Sequence, residues 1–136
     1  MYRLIAAIIV LAGLVLSAPD QASARQDDPK LGELFDLLQD AEHPQEIATI
    51  THLIWTVWSK SGSDTTDYLF KAGIQALSRG ELADALKRFS AVTDLDPQFA
   101  EAWNKRATVL FLMGEYRASV VDVQKTVSLE PRHFGA

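Results

Sequence analysis

Apolar residues recur at helical spacing along most of the chain after residue 28. A first stripe at the i, i+3, i+4 and i+7 positions of a helix consists of Leu31, Leu34, Phe35 and Leu38. Asp28 and Pro29 precede it as a typical N-cap and first helical residue. A second, broader stripe begins after Pro44 and consists of Ile47, Ile50, Leu53, Ile54, Trp55, Val57 and Trp58. We expect this second helix to stop at Gly62 and to be buried between two neighbours, because its apolar face is so broad.

From residue 64 onward the pattern repeats with a period of 34 residues. Identical residues at this spacing are the pairs Lys71/Lys105, Gly80/Gly114, Glu81/Glu115, Leu95/Leu129, Pro97/Pro131 and Ala102/Ala136. Similar residues are the pairs Leu69/Trp103, Gly73/Ala107, Ala85/Ser119, Phe89/Val123 and Asp96/Glu130. Each period predicts two helices with a glycine turn between them and a proline after the second, in the first unit over about 66–78 and 81–94. So many coincident positions at one period predict a helical solenoid.

The repeated positions resemble those of tetratricopeptide repeats. The resemblance covers 66–131 and rests on the large residue at Leu69/Trp103, the small one at Gly73/Ala107, and on Ala85, Phe89, Pro97 and Pro131. It implies an all-α fold, a short right-handed α-solenoid in which a helical hairpin precedes two stacked 34-residue helix-turn-helix repeats. We place the hairpin at 25–62 and the repeats at 63–131, with units at about 66–99 and 100–133.

The C-terminal segment "PRHFGA", 131–136, has the residue pattern with which the second unit opens. We interpret 132–136 as the start of a further repeat or a truncated end. Terminal repeats of a solenoid normally carry a polar outer face. A partner or a second copy that covers this end is therefore one expectation, and the chain is then a homo-oligomer through its C-terminal face.

The N-terminus has the pattern of a secretory signal peptide. Arg3 precedes the apolar run 4–16, and Ala22 and Ala24 provide small residues for cleavage after Ala24. The run is shorter than the roughly 20 residues that span a bilayer. We expect an exported, periplasmic protein, with a retained inner-membrane anchor as the alternative. The hairpin and the segment leading into the repeats resemble the opening of small exported tetratricopeptide proteins of Gram-negative bacteria.

Charge and missing motifs exclude several functions. The net charge is −5 and stays so without the signal peptide, which removes one basic and one acidic residue. Such a surface does not attract nucleic acid. The chain has no cysteine, no nucleophile elbow and no phosphate-binding loop, and His43 and His52 lack metal-ligand spacing. We therefore expect no enzyme, no cofactor, no metal and no small-molecule substrate.

In tetratricopeptide arrays the first helix of each repeat lines a concave groove. The resemblance implies that the residues on these helices bind a partner, and the candidates are Asp67, Phe70, Lys71, Ile74, Glu101, Asn104, Lys105 and Thr108. Lys71 and Lys105 are suited to an acidic peptide or a C-terminal carboxylate. The alternative is that each pairs with the acidic residue four positions before it.

Phe70 and Ile74 would make the groove more apolar, unless they pack inside the array. They stand where the family's carboxylate clamp for chaperone tails needs Lys and Asn, so we do not expect that specificity. The expected function is non-catalytic binding of a protein or peptide in the periplasm. The alternatives are a structural protein that self-associates through an uncapped C-terminal face, and a membrane-anchored assembly factor.

Overall fold

A computed structural model describes residues 28–136, and the signal peptide predicted at 1–24 lies outside them. This part of the chain is all-α, as predicted, and consists of helices joined by turns. The six helices are α1 (Pro29–Asp40), α2 (Pro44–Trp58), α3 (Asp64–Ser78), α4 (Leu82–Leu95), α5 (Ala100–Leu112) and α6 (Tyr116–Leu129). Helices α1 and α2 form the hairpin, α3 and α4 form repeat one, and α5 and α6 form repeat two. No helix of residues 28–136 is long and apolar enough to cross a membrane.

The helix ends follow local sequence signals, with one exception. Asp28 caps α1 as predicted, because its side chain accepts a hydrogen bond of 2.9 Å from the backbone N–H of Lys30. The predicted stop of α2 at Gly62 is wrong, since the helix ends at Trp58. Gly62 instead lies in the connection to α3, at φ 87°, where a residue without Cβ avoids strain.

The same glycine turn reverses the chain in both repeats. Gly80 and Gly114 have φ of 73° and 82°, which other residues adopt only with strain. The following backbone N–H, that of Glu81 or Glu115, donates over 2.9 Å to a carbonyl of the helix just completed. The turn brings the two helices of each repeat together as an antiparallel pair.

Repeat one is filled by aromatic rings. The ring centroid of Phe70 lies 5.7 Å from that of Phe89 and 4.9 Å from that of Phe99, and all three side chains are buried. Gly73 faces this cluster, and a Cβ there would come within 2.7 Å of the Phe89 ring. A glycine is needed at this position because its neighbour on α4 is large.

Repeat two is held together more by polar contacts. Ser119 donates a hydrogen bond of 2.8 Å to the carbonyl of Ala107, which joins α6 to α5. Arg106 binds both carboxylate oxygens of Asp122 at 2.7 Å and reaches the hydroxyl of Thr93, on repeat one, at 3.0 Å. The guanidinium thus links the two repeats.

The C-terminal segment 131–136 follows the path by which repeat one enters α5. The N–H of Phe99 donates to the carbonyl of Asp96, and the N–H of His133 donates to the carbonyl of Glu130, in both cases over 3.1 Å. In addition, the N–H of Gln98 donates to the side chain of Asp96 at 3.1 Å. The N–H of Arg132 donates to the side chain of Glu130 at 3.0 Å. The segment therefore begins with the turn that leads into a helix in the preceding unit.

The hairpin has a small core of its own, which consists of the buried side chains Leu31, Ile50, Ile54 and Trp58. Through α2 it contacts α5, where Trp55 lies against Lys105, and the C-terminal segment, where Trp58 stacks on His133. The first helices α3 and α5 of the two repeats lie side by side and form one face. We call the space between α2 and this first-helix face the groove.

Candidate functional site

The groove contains a cavity of about 690 Å³ between α2, α3 and the start of α5. Its wall combines apolar and charged side chains: His52, Trp55, Thr56, Ser59, Lys60, Asp64, Asp67, Tyr68, Phe70, Lys71, Ile74, Glu101 and Lys105. Six of the eight predicted binding residues are among them. The cavity is large enough for one or two side chains of a bound segment.

Helix α3 supplies the part of the cavity that is open to a ligand. Lys71 is exposed, and within residues 28–136 no acidic side chain pairs with it. The predicted pair between Asp67 and Lys71 is absent because Asp67 faces the α2–α3 connection. There its carboxylate accepts two hydrogen bonds of 2.7 Å from the N–H and the hydroxyl of Ser61. Phe70 is only 4% exposed and belongs mainly to the core of repeat one.

Helix α5 supplies a buried carboxylate, that of Glu101, which is 1% exposed. One oxygen binds the ammonium of Lys105 at 3.0 Å, which confirms the predicted pair. The other binds the side-chain amide of Asn104 and Nε2 of His133, each at 2.9 Å. Because a carboxylate oxygen only accepts, Nε2 of His133 is the donor in this contact. Three donors compensate this carboxylate for its loss of water.

Helix α2 covers the α5 side of the groove. The ammonium of Lys105 lies 5.0 Å from the ring centroid of Trp55. Trp58 stacks on His133, with 4.3 Å between centroids and 7° between planes. Phe134 contacts both tryptophans, at centroid distances of 5.0 and 5.5 Å. The hairpin is therefore fastened to the C-terminal segment, and Lys105 is engaged from two sides.

The C-terminal segment is held in place by an ion pair. Arg132 donates two hydrogen bonds of 2.9 Å to the carboxylate of Glu130, and its guanidinium lies 4.4 Å from the ring centroid of Phe35. Burial acts to raise the pKa of Glu130, but the hydrogen bonds and the positive charge of Arg132, with a smaller contribution from Trp58, together hold that pKa below its ordinary value.

The two remaining predicted residues line a separate cavity of about 220 Å³, with Phe111 and Ala136 also in its wall. Asn104 is buried and donates to Glu101, so it is not available to a ligand. Thr108 donates its hydroxyl to the carbonyl of Asn104 at 3.0 Å. The structure thus brings six predicted residues together and places Asn104 and Thr108 elsewhere.

The contribution of α2 to the cavity was not predicted from the sequence. Trp55 lies on the apolar face of α2 that we expected to be buried between two neighbours, but it is only partly buried, and its ring lies against Lys105. The breadth of the apolar face of α2 was the available signal, since it predicted a second neighbour. Within the described residues, no group of three acidic or histidine side chains is placed to hold a metal ion.

Three comparisons bear on the chain. It is 32% identical over 149 aligned residues to a TPR repeat-containing protein of Rhizobium etli, an alignment that covers 100% of this chain and 73% of that protein. It is 41% identical over 58 residues to DnaJ homolog subfamily C member 3 of Mus musculus, covering 43% of this chain and 12% of that protein. An uncharacterized protein of Methanocaldococcus jannaschii is 30% identical over 50 residues. No family model and no solved structure matches the chain.

Proposed function

The chain belongs to the tetratricopeptide-repeat family, and from this premise we propose that it binds a protein segment in its groove, in the periplasm. Proteins of this family are generally non-catalytic modules for protein–protein interaction, and the relatives support that class for this chain. The observation that carries the finer proposal is the groove cavity, in which an unpaired lysine stands beside apolar walls.

The charges around the cavity indicate what the segment carries. Lys105 is paired with Glu101, and Lys60 lies 4.0 Å from Asp67, whereas Lys71 has no acidic partner within residues 28–136. A carboxylate of the ligand would give Lys71 its partner, as a charge-assisted hydrogen bond of roughly 1.5–3 kcal/mol. Ile74 and Trp55 offer apolar contact beside it. The proposed ligand is therefore a segment with an apolar side chain next to an acidic group.

Export is the second part of the proposal. The N-terminal pattern lies outside the described residues, and it favours cleavage after Ala24 and release into the periplasm. The fold contains no cysteine, so an oxidising compartment has no thiol to act on. If the apolar segment is retained, the protein is instead a membrane-anchored assembly factor.

The groove is tested by crosslinking and then by direct binding. The full chain, with a photoreactive amino acid in place of Tyr68, an exposed residue of the cavity wall, keeps Lys71 and is expressed in a Gram-negative host. The crosslinked segment is identified by mass spectrometry. A synthetic peptide of that segment is then titrated into the unmodified chain, Lys71→Glu and Lys87→Glu. Lys87 is an exposed lysine on α4, outside the groove, and gives the matched change in net charge.

We expect Lys71→Glu to raise the Kd at least about tenfold, equivalent to about 1.4 kcal/mol, and Lys87→Glu to leave it unchanged. Equal weakening by both variants would show that net charge, not the groove, governs binding, and no effect of either would also overturn the proposal.

The same preparation tests export through the mass of the purified chain. A periplasmic form that begins at Arg25 is expected. An intact chain in the inner membrane would support the anchored alternative, and an intact chain in the cytoplasm would contradict both.

A further inference from the structure

Residues 34 positions apart occupy equivalent places in the two repeats, so one face of repeat one can be compared with the equivalent face of repeat two. In repeat one, Ile74, Leu77, Leu82 and Leu86 are partly buried. They pack into a core to which α5 of the next unit contributes the fully buried Ala102 and Val109. This face of repeat one is therefore closed by repeat two.

No helix of the described part of the chain packs over the equivalent face of repeat two, and only residues 135 and 136 lie beside it. Its residues are Thr108, Phe111, Tyr116, Val120 and Val127, and we call them the open face. Phe111 is 59% exposed, Tyr116 60% and Val120 54%. Val127 is 41% exposed, whereas Thr93, the equivalent residue of repeat one, is 2% exposed. Contiguous exposed apolar groups of this kind mark an interaction surface.

The charge pattern indicates what covers the open face. None of its five residues is charged, so two such faces meet without opposing like charges. The opposite end of the solenoid is polar where α5 is apolar. Tyr68 is 70% exposed and Gln75 is exposed at the positions where Ala102 and Val109 are fully buried. A head-to-tail chain of copies would therefore place an apolar face on a polar one.

We propose that two copies of this chain pair through their open faces about a two-fold axis, with α6 packed against α6. An isologous contact of this kind buries the apolar face of both copies at once and leaves the polar ends in solvent. None of the five open-face residues lines the groove cavity, so each copy keeps its cavity accessible. The dimer would present two cavities to a partner and would gain avidity for a divalent one.

The dimer is tested with the full chain, expressed in a Gram-negative host and purified in the form that accumulates. Sedimentation equilibrium over a wide concentration range is expected to show a monomer–dimer equilibrium. Val120→Glu should weaken it about 100-fold or more, because it places like charges together in an apolar contact. The matched control is Val121→Glu, one residue on. Val121 is 61% exposed, and the equivalent residue of repeat one is the exposed Lys87. This position therefore lies outside the face that pairs, and the variant should dimerise normally.

A second measurement fixes the symmetry. The chain has no cysteine, so Val120→Cys introduces a single thiol. With dissolved oxygen as the oxidant, we expect two such thiols in an isologous dimer to form a disulfide between the copies, whereas Gln75→Cys, at the polar end, should not.

The proposal is overturned if the chain is a monomer at every concentration, if Val120→Glu and Val121→Glu act alike, or if position 75 crosslinks instead. It is also overturned if the purified chain is a monomer and the open face is protected only in a complex with another protein. Failure here leaves the groove proposal intact, because the test of that proposal depends on Lys71.

Discussion

The two repeats share one backbone path but have different interiors. Three positions that hold Phe70, Phe89 and Phe99 in repeat one hold Asn104, Val123 and His133 in repeat two. The first set forms an aromatic cluster, and two members of the second set bind the buried carboxylate of Glu101. The repeat therefore specifies where side chains point, but apolar burial or polar bonding can hold them there.

The aromatic cluster of repeat one and the polar network of repeat two contribute differently to stability. Apolar burial stabilises in proportion to area and needs no particular partner. A buried polar network contributes little net stability, but breaking one member leaves the others unpaired at high cost. The network in repeat two also supports the hairpin, since His133 carries both the bond to Glu101 and the stack with Trp58. We therefore expect repeat one to contribute more of the stability and the network of repeat two to fix the position of the hairpin.

The largest expected effect separates the two cores. Phe89→Ala removes a fully buried ring and should lower the free energy of unfolding by about 3–5 kcal/mol. The equivalent change in repeat two, Val123→Ala, removes a smaller and only partly buried side chain and should cost about 1 kcal/mol. Urea unfolding followed by circular dichroism measures both. Equal costs would mean that the aromatic cluster is not the main source of stability.

A smaller loss is expected when the polar network is broken. Glu101→Ala removes the acceptor shared by Asn104, Lys105 and His133, and should cost about 2–4 kcal/mol. It should also change the tryptophan emission, because Trp58 loses the fixed position of its stacking partner.

A control for this change is Glu81→Ala, which removes an exposed carboxylate paired with Arg79. We expect its unfolding midpoint to match that of the unmodified chain. If Glu101→Ala is as harmless as the control, the network does not hold repeat two together.

Most of the fold is predictable because its signals are local. Glycine and proline mark the turns, and the alternation of small and large residues sets the close approach of helices, as at Gly73 against Phe89. The pair of Glu101 and Lys105 follows in the same way from i, i+4 spacing. The equivalent pair at Asp67 and Lys71 fails because Ser61, in the connection before α3, binds the carboxylate instead.

The placement of the hairpin could not be predicted from such signals. It depends on contacts between residues far apart in sequence, above all the stack of Trp58 on His133. An aromatic residue on a helix face indicates that something covers it, but not which distant segment does so. Trp55 therefore covers part of the groove, a contact that the repeat pattern alone does not predict.

The smallest expected effect concerns the two turns that follow the repeats. Their backbone hydrogen bonds are equivalent, but the pKa values of their carboxyl groups are shifted in opposite directions. Burial raises the pKa of Asp96 against the opposing hydrogen bond from the N–H of Gln98. In Glu130 burial is outweighed mainly by the hydrogen bonds and charge of Arg132, and the pKa is lowered. The ionised form is therefore disfavoured by folding at Asp96 and favoured by it at Glu130.

The two turns should consequently respond to acid in opposite ways. Glu130 stabilises the fold above its unfolded pKa of about 4.3, and that contribution is lost as the pH falls through its lower folded pKa. The cost of Glu130→Gln should thus be largest near neutral pH and shrink on acidification. For Asp96 the unmodified fold gains relative stability as the pH falls through the raised pKa, so the cost of Asp96→Asn should be smallest near neutral pH.

Denaturant unfolding of both variants beside the unmodified chain, at a series of pH values from neutral to acidic, gives the two difference curves. Opposite slopes are expected, because Arg132 is the only basic side chain bound to either carboxylate among the described residues. Parallel curves would show that Arg132 does not bind Glu130 strongly enough in solution to offset its burial. The C-terminal segment would then be held by the bond of His133 to Glu101 and by the contacts of His133 and Phe134 with Trp58.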